Sequence, residues 1–151
     1  MVAWPAASRR TQASRPSTGR HALHLVDTNA WKWLAAGKPL KPGARQLAQP
    51  NHPLFLLDIS FWEICKAVEY GTLLLTIPPL EWIKRALASN ITVLTITPEI
   101  AARSCQLAAA GLATTDPADQ LIVAAALEHR LTLVTHDAKI RKWGGVPVLD
   151  Y

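Results

Sequence analysis

The side chains best suited to chemistry in this chain are acids, and they recur where an apolar run gives way to a helix. Asp27 lies in HLVDTNAW, Glu63 in DISFWEI, Asp116 and Asp119 in TTDPADQLIVAAA, and Asp137 in LTLVTHDA. Carboxylates gathered within a few ångströms repel one another and hold raised pKa values unless a cation sits among them. A ligand set rich in oxygen, without cysteine and poor in histidine selects Mg²⁺ or Mn²⁺ over zinc. Two such ions lower the pKa of a bound water, orient it for in-line attack on a phosphodiester and neutralise the leaving oxygen. No Gly-rich phosphate loop, dinucleotide fingerprint or Ser-His-Asp order offers another chemistry. The pair Gly144–Gly145 reads as a turn before the last strand.

The elements that would carry these acids follow an alternating α/β pattern. Short β-branched or leucine-rich runs fall at Ala22–Val26, Leu54–Leu57, Ile91–Ile96, Leu131–Thr135 and Val146–Leu149. Runs so short and continuously apolar predict a parallel sheet of about five strands, covered by helices on both faces. Phe61, Ile64, Cys65 and Val68 form a helical stripe, Thr97-Pro98 opens a second helix, and Asp116-Pro117 opens a third that is apolar on almost every side. In an open parallel sheet, strand carboxyl ends and the N-terminal turns of the following helices share one crevice. Four segments distant in sequence would then bring acids to one place.

Each acid also has a purely structural reading. Ser60 with Glu63 has the spacing of a capping box, Asp116 with Asp119 forms an N-cap and its partner, and Asp137 can cap the helix carrying Lys139–Trp143. Capping is served equally by Ser, Thr or Asn, however, and the repeated choice of a charge is what the metal reading explains.

Composition sets the outer limits. The chain has 151 residues, enough for one domain with a sizeable core, and no apolar run long enough to span a bilayer. Its two cysteines, Cys65 and Cys105, have no metal or redox spacing; they are expected to be buried packing residues in a reducing, cytoplasmic setting. The net charge of +5 is unevenly spread: residues 1–24 hold Arg9, Arg10, Arg15 and Arg20 with no acid, whereas residues 25–151 hold 12 Lys or Arg against 11 acids. Residues 1–22 are expected to form a basic, poorly ordered tail, and 23–151 the folded domain. The tail reads as a solvated extension or a start codon set too early, as a basic arm for nucleic acid, or as an Arg- and Ser-rich leader whose Pro5 and Pro16 spoil an amphipathic helix.

The motifs LVDTNAW, SFWEI, DPADQLIVAAAL, LTLVTHD and GVPVL, in this order and spacing, resemble the PIN-domain ribonucleases, and within them the VapC toxins of type II toxin–antitoxin systems. The resemblance covers about residues 23–150. It implies a three-layer α/β/α fold and a Mg²⁺- or Mn²⁺-dependent endoribonuclease with RNA as substrate. It also implies a homodimer neutralised by a VapB-type antitoxin that drives a segment into the acidic crevice. By resemblance Asp27, Glu63, Asp119 and Asp137 are the catalytic and metal-binding acids, Asp116 an additional one, and Thr28, Asn29 and Thr135 hold ligands or water around them.

The departures bear on substrate. Related toxins often carry basic and aromatic residues around DPxD, where Thr114, Thr115, Ala118 and Gln120 stand. Basic contacts would come instead from among Lys32, Lys38, Lys41, Lys66, Lys139, Arg141 and Lys142. His136 reads as a strand-end surface residue that could donate to phosphate. Trp31 and Trp33 read as core or dimer contacts rather than base-stacking platforms. Two alternatives stay open: a PIN nuclease of RNA processing or DNA cleavage with no antitoxin, and a non-catalytic, receiver-like domain binding a regulatory cation. One acid in DTNA, with Asn29 two residues after Asp27, counts against both a receiver domain and a haloacid dehalogenase-type phosphatase.

Overall fold

A computed structural model of the chain describes residues 22–151. The tail reading falls on residues 1–21, outside the described residues. Five strands form, β1 (His24–Val26), β2 (Leu54–Leu57), β3 (Ile91–Leu94), β4 (Thr132–Val134) and β5 (Val148–Leu149). They pair in parallel throughout in the order β3-β2-β1-β4-β5. The central strand is β1, with Val26 in register with Leu56 on one side and Val134 on the other. Six helices connect them: α1 (Thr28–Ala35), α2 (Ile59–Glu69), α3 (Pro79–Ala86), α4 (Pro98–Ser104), α5 (Pro117–Glu128) and α6 (Ala138–Trp143).

The pleat explains why both faces need cover. Leu25, Leu57 and Leu133 point into a core with Ile100, Ile140 and the α5 residues Ile122–Ala126. Their neighbours Val26, Leu56 and Val134 point the other way, against Ala30, Trp31, Leu47, Ile64 and Ile83. Helices α1–α3 thus cover one face and α4–α6 the other, which is the three-layer arrangement expected. Trp31 is 1% exposed, donates its indole N–H to the Ala86 carbonyl at 3.0 Å and meets Phe61 and Trp82 edge-on. Loss of its side chain costs about 3–5 kcal/mol. Gly144 closes α6 at φ +68, a left-handed cap that a residue with a Cβ adopts at a cost, and begins the expected turn into β5.

Two local readings are corrected. Cys65 and Cys105 are exposed, not buried. On α2 the inward positions are Ser60 and Ile64, which turns Cys65 to solvent, and Cys105 lies just past the end of α4, whose buried residues are Ile100 and Ser104. The Ser60–Glu63 capping box does not form, because α2 begins one residue before Ser60 and places Ser60 inside the helix. Helix α3 and the 3₁₀ turn at Pro42–Ala48 were not anticipated; both open with proline, and α3 buries only Ile83.

Candidate functional site

A sheet in which every strand runs the same way presents all its carboxyl ends at one edge, and the acids are there. Asp27 directly follows β1, Asp58 directly follows β2, and Asp137 stands three residues after β4. Glu63 is in the second turn of α2, two residues further in than a cap at Ser60 would place it, and Asp119 is in the first turn of α5. Asp119 feels the charges of Asp116, Asp137 and Asp27, and Glu63 feels those of Asp119, Asp116 and Asp27. The five expected acids therefore stand at one edge of the sheet, close enough for their charges to act on Glu63 and Asp119.

Local hydrogen bonds anchor each of them. Asp27 caps α1, its Oδ1 accepting the Ala30 N–H at 2.6 Å. Asp116 caps α5, with Oδ1 accepting the Ala118 N–H at 2.8 Å. Asp137 caps α6, with Oδ1 accepting the N–H groups of Lys139 and Ile140 at 2.8 Å each. Asp119 Oδ2 accepts the Thr114 hydroxyl at 3.2 Å, not the Asp116 N–H that a capping box would require. Glu63 Oε2 accepts the Thr28 hydroxyl, whose oxygen is also 2.7 Å from Ser60 Oγ. Each of the five carboxylates is thus tied to its own element or a neighbouring hydroxyl. Capping and ion binding are thus compatible uses of the same side chain.

Among the described residues, none of the five lies within 4.0 Å of a Lys, Arg or His nitrogen. Burial, reinforced by Asp119, Asp116 and Asp27, pushes Glu63 up to about 7. Burial, followed by Asp116 and Asp137, pushes Asp119 up to about 6. Burial also raises Asp27, which is 8% exposed, although the hydrogen bonds it accepts oppose the shift.

A profile of the PIN domain matches residues 24–146, the segment from the start of β1 to just before β5. The chain belongs to the PIN-domain family. It is 35% identical over 118 residues to ribonuclease VapC22 of Mycobacterium tuberculosis, covering 78% of this chain and 88% of that one. Among solved structures it is similar to VapBC from Salmonella typhimurium bound to DNA, at 20% identity and a TM-score of 0.64 over 86% of this chain and 98% of that one. It is also similar to a toxin–antitoxin complex from Klebsiella pneumoniae, at 27% identity and a TM-score of 0.55 over 83% and 95%.

PIN-domain nucleases generally use divalent metal ions, and the donor set of this PIN domain fits one. It consists of carboxylate oxygens, and burial together with neighbouring acids favours protonation of Glu63 and Asp119. Among the described residues no three His, Cys, Asp or Glu side chains close into a ready cage. The smaller residues expected around the acids are also in place. Thr28 holds Glu63; Thr135 is fully buried with its hydroxyl accepting the Asp137 N–H at 3.0 Å; Asn29 is exposed beside the cleft.

Sequence reasoning passed over Asp58. Its Oδ1 is buried with no hydrogen-bond partner among the described residues, and it makes no side-chain cap to α2. The position after β2 is the signal that could have found it, the same one that marks Asp27. Asp58 lines a groove of about 1070 Å³ with Glu63 and Asp116, walled by Trp62 and Tyr70, with Lys66 Nζ over both rings.

Proposed function

We propose that this protein is a Mg²⁺- or Mn²⁺-dependent endoribonuclease, the toxin of a VapBC-type toxin–antitoxin module, acting in the cytoplasm. Residues 23–151 form its PIN domain. The observation that carries the reading is the gathering of five carboxylates from four segments with no cation beside them. The likeness to a protein named ribonuclease VapC22 and to VapBC and toxin–antitoxin complexes supports the assignment of substrate and partner. RNA is the substrate, a VapB-type antitoxin the partner, and the active form a homodimer.

Asp27, Glu63, Asp119 and Asp137 hold the metal, with Asp116 as an additional ligand. When bound, Mg²⁺ or Mn²⁺ supplies Lewis acidity toward the scissile phosphate and lowers the pKa of attacking water. The protein's part is positioning. The N–H groups of Ala30, Ala118, Lys139 and Ile140 hydrogen-bond three of the carboxylates and so orient them. Thr28 does the same for Glu63 and Thr114 for Asp119. This route needs no 2′-hydroxyl and leaves 5′-phosphate and 3′-hydroxyl ends.

The test is cleavage of RNA by the purified protein in Mn²⁺, in EDTA and as the Asp119→Asn variant, with the ends of the products mapped. Cleavage only by the metal-loaded native protein is expected; 2′,3′-cyclic phosphate ends, or cutting that persists in EDTA, would sink the metal mechanism. Expression with and without the neighbouring reading frame tests the toxin role, because growth arrest relieved by that neighbour separates a toxin from an RNA-processing nuclease.

A further inference from the structure

Next to the acids, on the side away from the Trp62–Tyr70 groove, the surface changes sign. A pocket of about 500 Å³, in the range of small-molecule sites, is lined by Asn29, Lys32, Trp33, Lys38, His136 and Tyr151. Asn29 is two residues past Asp27 and His136 adjoins Asp137, so the pocket opens where the acidic cleft ends. Tyr151 is near enough to Asp27 for that carboxylate to help raise its hydroxyl above the ordinary range, after burial, the main cause.

The pocket is built of side chains held in place. Asp150 accepts from His136 Nδ1 and from Lys41, and lies 3.2 Å from Arg141 Nη1. His136 stacks on Tyr151 with ring centroids 3.7 Å apart, and Trp33 meets both rings edge-on. Trp33 is itself fixed by its N–H, donated to the Pro39 carbonyl at 3.0 Å. The His136 side chain stays 40% exposed although it is packed against Tyr151 and Trp33. Lys38 Nζ sits 4.6 Å from the Trp33 ring centroid, and neither Lys38 nor Lys32 has a carboxylate partner among the described residues. Two ammonium groups without counter-ions and an anchored stack of aromatic rings ask for an occupant that is both anionic and planar.

We propose that this pocket binds one nucleotide of single-stranded RNA next to the bond that is cut, its phosphate on Lys32 and Lys38 and its base continuing the Tyr151–His136 stack. The inference rests on the nuclease reading and adds to it the place where the strand is gripped. A basic peptide is disfavoured by the two lysines. Because a ring face accepts any base, the pocket supplies affinity rather than sequence choice.

Two measurements separate this proposal from the reading beneath it. Binding of a short fluorescent oligoribonucleotide is followed by anisotropy in Mn²⁺ on the Asp119→Asn protein, and cleavage kinetics are followed on the native background. Lys32→Ala with Lys38→Ala is expected to weaken binding about 10-fold, to lower the slope of log affinity against log salt by about 1, and to raise KM with little change in kcat. His136→Ala is expected to weaken binding about 10-fold with the salt slope kept, since it removes a stacking surface. Arg130→Asn, at the opposite edge of the sheet, serves as the control and should change neither. Lysine variants that match the control overturn the pocket, whether or not the native protein cuts RNA. Failure of the native protein to cut, with the pocket variants still weakened in binding, overturns the nuclease reading alone.

Discussion

Asp150 and Asp119 are the same side chain at neighbouring places on one sheet edge, and the protein treats them in opposite ways. Asp150 follows β5 and is surrounded by Lys41, His136 and Arg141, whose hydrogen bonds and charges, led by Lys41, hold its carboxyl below the ordinary range. Asp119, and with it Glu63, is partly buried among other acids and held well above that range. The first arrangement is complete without any added ion. The second leaves protonation or a metal as the ways to relieve the repulsion. Uncompensated charge, rather than acidity as such, distinguishes the proposed metal site from the rest of this edge.

The contrast can be broken most severely at the cleft. Asp119→Asn and Asp27→Asn are each expected to reduce Mn²⁺-stimulated RNA cleavage at least about 100-fold, with the fold retained or stabilised because a repelling charge is gone. Gel-based cleavage rates and thermal melts made on the same samples check both halves of the expectation. Thr28→Val removes the hydroxyl that fixes Glu63 without touching an acid, and cleavage should fall about 10-fold, the usual effect of a residue that orients a ligand. A rate equal to that of the native protein would show that Glu63 needs no such support.

A pH series sharpens the comparison without altering the site's chemistry. Glu63 and Asp119 take up protons more readily in the folded state than in the unfolded one, whose values are near 4.5 and 3.8. Their contribution to stability is therefore full below those values and is lost as pH rises through about 6 to 7. In EDTA the melting temperature should fall by several degrees between pH 5 and pH 8, Glu63→Gln should flatten that fall, and Mn²⁺ should reverse it. Asp150 has the other sign: its stabilisation is present above its ordinary value near 3.8 and lost only in acid. The smallest effect is accordingly expected for Asp150→Asn, which should lower the melting temperature by no more than about 4 °C at pH 7, as exposed ion pairs do, and by progressively less as the pH is taken below 3.8.

Much of the architecture can be read from residue order. The five apolar runs become the five strands, each shortened by two residues except for Leu54–Leu57, and the apolar Leu121–Ala126 becomes the buried heart of α5. What escaped reading was local. Cys65 fits a helical stripe as well as Ser60 does, and only the angle at which α2 meets the sheet decides that Ser60 faces inward and Cys65 outward. Asp58 carries the same strand-end signal as Asp27 and was hidden by the stronger DISFWEI pattern around Glu63. Trp31 is core, as expected, whereas its neighbour on the next-but-one position, Trp33, is drawn to the pocket wall by His136 and Tyr151.

The sequence alone determined that acids stand at strand ends and helix starts, because apolar runs and capping residues are local patterns that physical chemistry interprets over a few positions. It could not determine which acids meet. That depends on the order β3-β2-β1-β4-β5, which puts β1 between β2 and β4 and so brings Asp27 beside Glu63 on one side and Asp137 on the other. The same order sets Asp150 next to His136 and within reach of Lys41, more than a hundred positions away in the chain. Electrostatic energy depends on distances through space and on exclusion of water, so tertiary structure alone could decide that Asp150 is neutralised while Glu63 and Asp119 are left needing a cation.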